Sequence, residues 1–234
     1  MTRVVVPVAV LEGEAVPLGL MNLLGTVDVT VLGYHVLPEQ TPPDQARLQY
    51  EERATEALAD VAEEFREAGG AADYRLVFTQ DRNQTVSRVA EEVDADAFAI
   101  TGATGDVDRL LVPLSGEVAA DRILEFVAEL VGDRGIAVTL LIVTDDESAG
   151  NGRLAEAAAT LTERGIDVET RLVPGGPPLE AVVDAVPAHD AIVMGEQAPT
   201  LTSFLFGELP ERVAEESVGP VLVVRRPVAP DEGG

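Results

Sequence analysis

The sequence predicts an α/β fold made of two tandem doubly wound parallel-sheet domains. Strands alternate with helices along the whole chain, which is the order of parallel βαβ units. The strands are continuous apolar runs, as expected for sheets that are buried on both faces. An internal repeat divides the chain into two halves. Residues 3–8, 27–32, 75–77 and 96–102 return in the same order as residues 109–114, 136–141, 171–173 and 190–195.

The repeat predicts one domain over residues 1–105, a second over residues 106–227 and a flexible tail at residues 228–234. The first domain lacks the last helix and the fifth strand, because its fourth strand is followed almost at once by the first strand of the second domain. Residues 11–25, interrupted by glycine and proline, make a poor helix. The predicted strands are 3–10, 27–36, 74–79, 96–101, 109–114, 136–143, 166–173, 190–194 and 220–224. The predicted helices are 44–68, 83–93, 118–131, 151–164, 178–186 and 207–217.

Composition and charge exclude several classes of function. The 234 residues carry 16 basic and 42 acidic side chains, for a net charge of −26, and every basic residue is arginine. Such a surface repels nucleic acids and anionic membranes. The absence of cysteine excludes disulfides and cysteine–zinc sites. With only two histidines, far apart in sequence, no metal site is expected.

The acid excess without lysine resembles proteins of haloarchaea, in which concentrated salt screens the self-repulsion of the surface. No apolar run is long enough for a transmembrane helix, and the N-terminus lacks the features of a signal peptide. The sequence therefore predicts a halophilic, acidic protein of the cytoplasm.

Four segments of the second domain carry a family resemblance. They are the opening strand at residues 109–117, the strand at 138–143 that leads to Asp145, the segment 190–195 and the closing segment 219–225. Together they are similar to the universal stress protein family. The resemblance implies a universal-stress-protein-like, adenine nucleotide alpha-hydrolase-like fold, with the first strand central and the fourth and fifth beside it. It also implies a non-catalytic regulatory or binding module of the stress response, which is not an enzyme and needs no cofactor.

The resemblance further implies a ligand crevice at the carboxyl ends of the strands, where the strand order reverses. In ATP-binding members an aspartate follows the first strand, a backbone group follows the second, and a Gly-x2-Gly-x9-Gly-Ser/Thr loop follows the fourth. Glycines let the backbone approach phosphates closely, and a helix N-terminus favours the anion. The corresponding residues of the second domain are Ser115, Val143, Gly195, Ala198, Gly207 and Glu208.

Three of these residues depart from the ATP-binding pattern. Ser115 stands in place of the aspartate, Ala198 in place of the second glycine and Glu208 in place of the hydroxyl. A carboxylate at that point opposes phosphate. The departures predict that the second domain does not bind ATP tightly. The alternative function is an adenine-nucleotide (ATP or AMP) binding protein with little or slow hydrolysis.

The first domain departs from the pattern further. Ala9 replaces the aspartate, and Gly102 and Gly105 match the first two glycines before the loop stops. Both glycines, like those of the second domain, also fit a structural role at strand ends or helix caps. Glu12 and Glu14 follow the first strand at the mouth of its crevice and could coordinate a cation, but acids are common throughout this chain.

The remaining polar residues suggest no catalytic set. His35 is expected to be a structural strand histidine and His189 a solvated loop residue, and no Ser–His–Asp arrangement has suitable spacing. Residues 200–206 gather three large apolar side chains, which either pack on the sheet or form a subunit contact or lid. Residues 220–224 are expected to be an unpaired edge strand, which predicts a homodimer through that edge. A further protein partner is also expected.

Overall fold

A computed structural model describes residues 2–38, 43–102, 105–114, 119–196 and 219–225. In the first half the strands are β1 (Arg3–Val8), β2 (Asp28–Val36), β3 (Ala71–Thr79) and β4 (Ala97–Ile100), and the helices are α1 (Leu18–Leu23), α2 (Pro43–Glu67) and α3 (Arg82–Glu92). In the second half the strands are β5 (Arg109–Pro113), β6 (Ala137–Thr144), β7 (Val168–Pro174), β8 (Ala191–Gly195) and β9 (Val221–Val224). Its helices are α4 (Ala120–Val131), α5 (Glu147–Thr162) and α6 (Pro178–Ala185), and a short 3-10 turn at Val186–Ala188 follows α6.

The nine described strands form one sheet in the order β3-β2-β1-β4-β9-β8-β5-β6-β7. Strands β1 to β4 are mutually parallel, as are β5 to β9, and the two blocks run in opposite directions because β4 pairs with β9 antiparallel. This order confirms the predicted α/β class, with each first strand inside its block and the fourth beside it. The predicted helix 207–217 and tail 228–234 lie outside the described residues.

The position of β9 corrects the prediction of a free edge at residues 220–224. Val221–Val224 is bonded on one side to β8 and on the other to β4 of the same chain. Because the first half has no fifth strand, one side of β4 would be left without a partner, and β9 of the second half pairs with it. The homodimer itself stays a prediction, but this strand offers it no edge, and the outer strands of the described sheet are β3 and β7.

Helices cover both faces of the sheet, as a doubly wound fold requires. On β1, Val4 and Val6 face one core cluster and Val5 faces the other. Helices α1, α2, α4 and α5 supply the first cluster, and α3 and α6 supply the second. Both clusters contain residues of both halves, so the core is continuous across the predicted domain boundary at residue 105. The boundary itself stays a prediction.

Local sequence explains where the helices begin and end, including one start that was predicted wrongly. Helix α5 begins at Glu147 and not at residue 151, because the Asp146 side chain accepts the Ala149 N–H (2.9 Å) and caps it. Gly150 lies inside this helix, where a Cβ would come within 2.6 Å of Leu172 and Thr144 on the sheet. The absence of a Cβ at Gly150 therefore permits close packing of the helix on the sheet. Residues 11–25, expected to be a poor helix, contain only the six-residue α1.

Asp96, which precedes β4, connects the two halves. Its carboxylate accepts the Arg3 N–H (3.0 Å) and an Nη2–H of Arg122 (3.2 Å), and its carbonyl accepts the Arg225 N–H (2.8 Å). Arg122 on α4 also donates from Nε to the Arg225 carbonyl (2.9 Å). The carboxylate of Asp96 thereby links β1 to a helix of the second half, and its backbone carbonyl holds the end of β9.

Arg134, which follows α4, makes a second connection at the ends of two helices. Its guanidinium donates to the carbonyls of Asn22 (2.6 Å) and Leu23 (2.9 Å) at the end of α1, and to the Leu130 carbonyl of α4. Carbonyls at helix ends lack intrahelical partners and favour a cation. Partial burial lowers the pKa of Arg134 from its usual value by desolvation. A single arginine thus satisfies helix ends from both halves.

We expect Leu222→Ala to lower the free energy of unfolding by about 2–5 kcal/mol, because the side chain is fully buried in the strand that joins the two blocks. Urea unfolding followed by circular dichroism measures this change. Leu48→Ala, at a side chain that is 91% exposed, is the matched control and should change stability by less than about 0.5 kcal/mol. Equal effects of the two substitutions would contradict the role given to β9.

Candidate functional site

The strand order creates a crevice in each half at the carboxyl ends of the strands. The first strand of each half has the second strand on one side and the fourth strand on the other, so the strand order reverses there. The gap lies between β1 and β4 in the first half and between β5 and β8 in the second. We call these the first and the second crevice. Because β4 and β9 are antiparallel, the two crevices open at opposite edges of the sheet. They are therefore separate sites.

The first crevice is bridged by a carboxylate of the protein itself. Glu14 accepts the backbone N–H of Ala9 at the end of β1 (2.7 Å) and the hydroxyl of Thr101 at the end of β4 (2.8 Å). It comes from the long connection, residues 9–17, that joins β1 to α1. The carboxylate thus spans the gap where an external ligand would enter.

A tyrosine and an arginine extend this cluster. Tyr34 on β2 is 9% exposed, and the Arg82 guanidinium carbon lies 5.3 Å from the centre of its ring, within cation–π range. Burial raises the pKa of Tyr34 above its usual value, and the charges of Glu14 and Glu12 raise it further, against the opposing effect of Arg82. The phenol is therefore protonated at neutral pH and is not a general base.

A pocket of about 210 Å³ lies on the same face as Tyr34, against the first turns of α3. Its walls combine apolar side chains of β1 and β4 with polar groups of α3 and one acid of the second half. They include Pro7, Phe98, Ile100, Arg82, Asn83 and Glu196. The pocket has space for a small molecule only.

The structure describes half of the predicted site residues. Val143 is half-buried near the carboxyl end of β6, and Gly195 is the buried last residue of β8. They lie at the same edge of the sheet on strands that β5 separates. Gly102 follows β4 at the first crevice and is half-buried, whereas Gly105 is exposed.

The other predicted site residues lie outside the described residues. These are Ser115, Ala198, Gly207 and Glu208, together with the apolar segment 200–206. The role of each one therefore stays a prediction.

Both histidines are packed. The ring of His35 lies 5.9 Å from that of Tyr50 and 6.3 Å from that of Phe78, in keeping with a structural strand histidine. His189 was expected to be solvated, but it is half-buried and its Nδ1 lies 2.7 Å from the Ala185 carbonyl oxygen. Neither side chain lies in the first crevice.

Two absences apply to the described residues. Residues 2–38, 43–102, 105–114, 119–196 and 219–225 hold no group of three metal-ligating side chains. Within those ranges, no helix has both the length and the apolar character that crossing a membrane requires.

Sequence reasoning missed most of the first-crevice cluster. It placed Glu14 at the crevice mouth, but it considered a cation site there and did not identify the contact with Thr101. Tyr34 and Arg82 lie on different elements and match no motif. The one available signal was that Tyr34 follows an apolar run close to the end of a parallel strand.

Comparisons with known proteins support the fold. No protein-family model matches the sequence, and no curated protein matches it. Among solved structures, a universal stress protein from Archaeoglobus fulgidus is similar over 96% of each chain, with 20% identity and a TM-score of 0.66. The cytoplasmic domain of a prokaryotic cation chloride cotransporter is similar over 95% of this chain and 94% of that one, with 10% identity and a TM-score of 0.53.

A third similar structure covers less of this chain. It is the Archaeoglobus fulgidus universal stress protein in complex with dAMP, which matches 50% of this chain and 96% of its own, with 23% identity and a TM-score of 0.33. The first two comparisons show that this fold occurs in known proteins over at least 95% of the chain's length. Because they include a transporter domain, the fold by itself does not assign a function.

We expect the stability of the protein to fall as pH rises above about 10, where unfolded tyrosine loses its proton and buried Tyr34 keeps it. Above that pH the folded state binds more protons, so deprotonation favours unfolding. Tyr34→Phe should make this decline shallower in urea unfolding measured across alkaline pH. Tyr74→Phe, at an exposed position, is the control; an equal effect of both substitutions would contradict the burial of Tyr34.

We expect Glu14→Ala to lower the free energy of unfolding at pH 7 by about 1–3 kcal/mol, because it removes the acceptor of the Ala9 N–H and the Thr101 hydroxyl. Urea unfolding measures the change. Glu12→Ala, at an exposed neighbouring acid, should have little effect. If the two variants were equally stable, the carboxylate would not hold the crevice closed.

Proposed function

We propose that this chain is a non-catalytic binding or regulatory protein of the universal stress protein family, acting in the cytoplasm, whose first crevice takes no nucleotide. The observation that carries this proposal is the Glu14 carboxylate, bonded to both Ala9 and Thr101 across the crevice. A nucleotide phosphate there would meet a fixed negative charge and would have to displace two hydrogen bonds.

The chemistry of the first crevice supports a non-catalytic role. Glu14 already accepts two hydrogen bonds, and the raised pKa of Tyr34 keeps its phenol protonated at neutral pH. Arg82 lies over the Tyr34 ring. A nucleophile paired with a base is what a hydrolytic site needs, and these groups do not supply one.

The alternative function is binding of an adenine nucleotide, ATP or AMP, in the second crevice. One observation favours this crevice over the first. Nine residues, 9–17, separate β1 from α1, whereas six residues, 114–119, separate β5 from α4. The residues that would hold the nucleotide are Ser115, Val143, Gly195, Ala198, Gly207 and Glu208.

The stoichiometry of bound nucleotide distinguishes these functions. The protein is purified in molar potassium chloride and denatured, and released nucleotide is measured by chromatography. ATP and AMP are then titrated by calorimetry, with and without Mg²⁺, and ATP hydrolysis is assayed. We expect no released nucleotide, no hydrolysis and no binding up to about 1 mM.

Each other outcome has a defined meaning. One nucleotide per chain, unaffected by Glu14→Ala, would establish the alternative and place binding in the second crevice. Two nucleotides per chain would contradict the closure of the first crevice. Rapid ATP hydrolysis would overturn the non-catalytic proposal.

A further inference from the structure

We propose that the second half carries an oxyanion-binding groove at the amino ends of β5, β6 and β7, at the opposite edge of the sheet from the second crevice. A cavity of about 370 Å³ lies there on the sheet surface. Its floor consists of side chains on the face that also presents Leu111, Leu141 and Val173. The residues that matter to the argument are Arg109, Ala137, Thr139, Glu169, Arg171 and His189, and we call them the anion groove. This proposal does not rest on the proposed function.

The internal repeat shows what is unusual about the two arginines. Arg3 and Arg109 correspond, because each is the first residue of its strand. Arg75 and Arg171 correspond by register, because they lie opposite Leu32 and Leu141, the equivalent residues of β2 and β6. In the first half both guanidinium groups have carboxylate partners. Arg3 lies 3.8 Å from Asp28, and Arg75 donates to Glu92 at 3.1 Å.

The second half has the two arginines but not the acids that correspond to Asp28 and Glu92. Asp28 lies opposite Arg3 on the neighbouring strand. The residue opposite Arg109 is Ala137, so an alanine takes the place of that acid. Glu92 lies five residues before the start of β4. The residue five positions before the start of β8 is Val186, so a valine takes the place of that acid. Within the described residues, the guanidinium groups of Arg109 and Arg171 make no ion pair and no hydrogen bond. The backbone N–H of Arg109 donates to the carboxylate of Asp190 (2.9 Å), which is therefore a neighbouring acid.

The sheet surface beside these arginines also differs in exposure between the two halves. Thr30 and Thr139 occupy the same position in the register of their strands, opposite Val5 and Leu111 respectively. Thr30 is 0% exposed, whereas Thr139 is only half-buried and lines the groove. The threonine position that is buried in the first half is therefore partly accessible in the second.

The groove offers donors suited to an oxyanion, meaning a phosphate or a carboxylate group. Two guanidinium groups supply planar forks of N–H donors, and Thr139 adds a hydroxyl. The His189 ring is held by its Nδ1, 2.7 Å from the Ala185 carbonyl oxygen. Glu169 also lines the groove and opposes an anion, but it pairs with neither arginine. Arg109 and Arg171 are both exposed, so their guanidinium groups are accessible to an anion from solvent, in a chain whose net charge is −26.

Calorimetric titration with two probes, inorganic pyrophosphate and citrate, tests the groove at one fixed ionic strength, the lowest at which circular dichroism shows the protein to be folded, so that charges are screened equally in every titration. We expect one site per chain for at least one probe, and the stronger binder tells a phosphate ligand from a carboxylate ligand. Arg109→Gln and Arg171→Gln should each weaken binding by about tenfold or more. Ala137→Asp, which restores the carboxylate found in the first half, should weaken it similarly.

Arg75→Gln is the matched control, because it removes the corresponding arginine where a carboxylate already occupies the position. It should leave binding unchanged, and circular dichroism confirms that every variant is folded. Two results would overturn the proposal. One is no binding of either probe up to about 10 mM. The other is equal weakening by Arg75→Gln and Arg171→Gln, which would indicate only a general effect of net charge.

Discussion

The pairing of β9 on both sides is the constraint on which the rest of this structure depends. Its four residues are at most 2% exposed and bond to β8 in parallel and to β4 in antiparallel register. An apolar strand edge left unpaired would be an aggregation hazard. Here the shortened first half provides one such edge and the second half provides the strand that covers it. The backbone groups of β4 and β9 are thereby paired within one chain.

This one strand determines the geometry of the potential binding sites. Because it reverses the direction of the sheet at its centre, the two crevices face opposite edges, and no ligand can bridge them. Its ends are held by neighbouring contacts. Arg225 bonds to Asp96 on one side, and at Gly219 a Cβ would collide with the Asp190 carbonyl. That close approach requires glycine at the entry to the strand.

The two halves share a backbone frame but differ in how they treat charge. In the first half, polar side chains bond to groups of the same half. Glu14 bonds across the crevice, and Arg3 and Arg75 form ion pairs with nearby acids. In the part of the second half that the structure describes, the guanidinium groups of Arg109 and Arg171 have no such pairs. The two halves therefore share strand order but differ in the pairing of their surface charges.

The sequence by itself determined the α/β class, the order of elements and the repeat, because apolar periodicity and glycine or proline breaks are local signals. It also identified the missing fifth strand of the first half. Only the tertiary structure decided that β9 pairs with β4, because an apolar run does not specify its partner. The Glu14–Thr101 bond and the grouping of Arg109 with Arg171 likewise join residues distant in sequence. Such contacts follow from strand order and register, which no local pattern encodes.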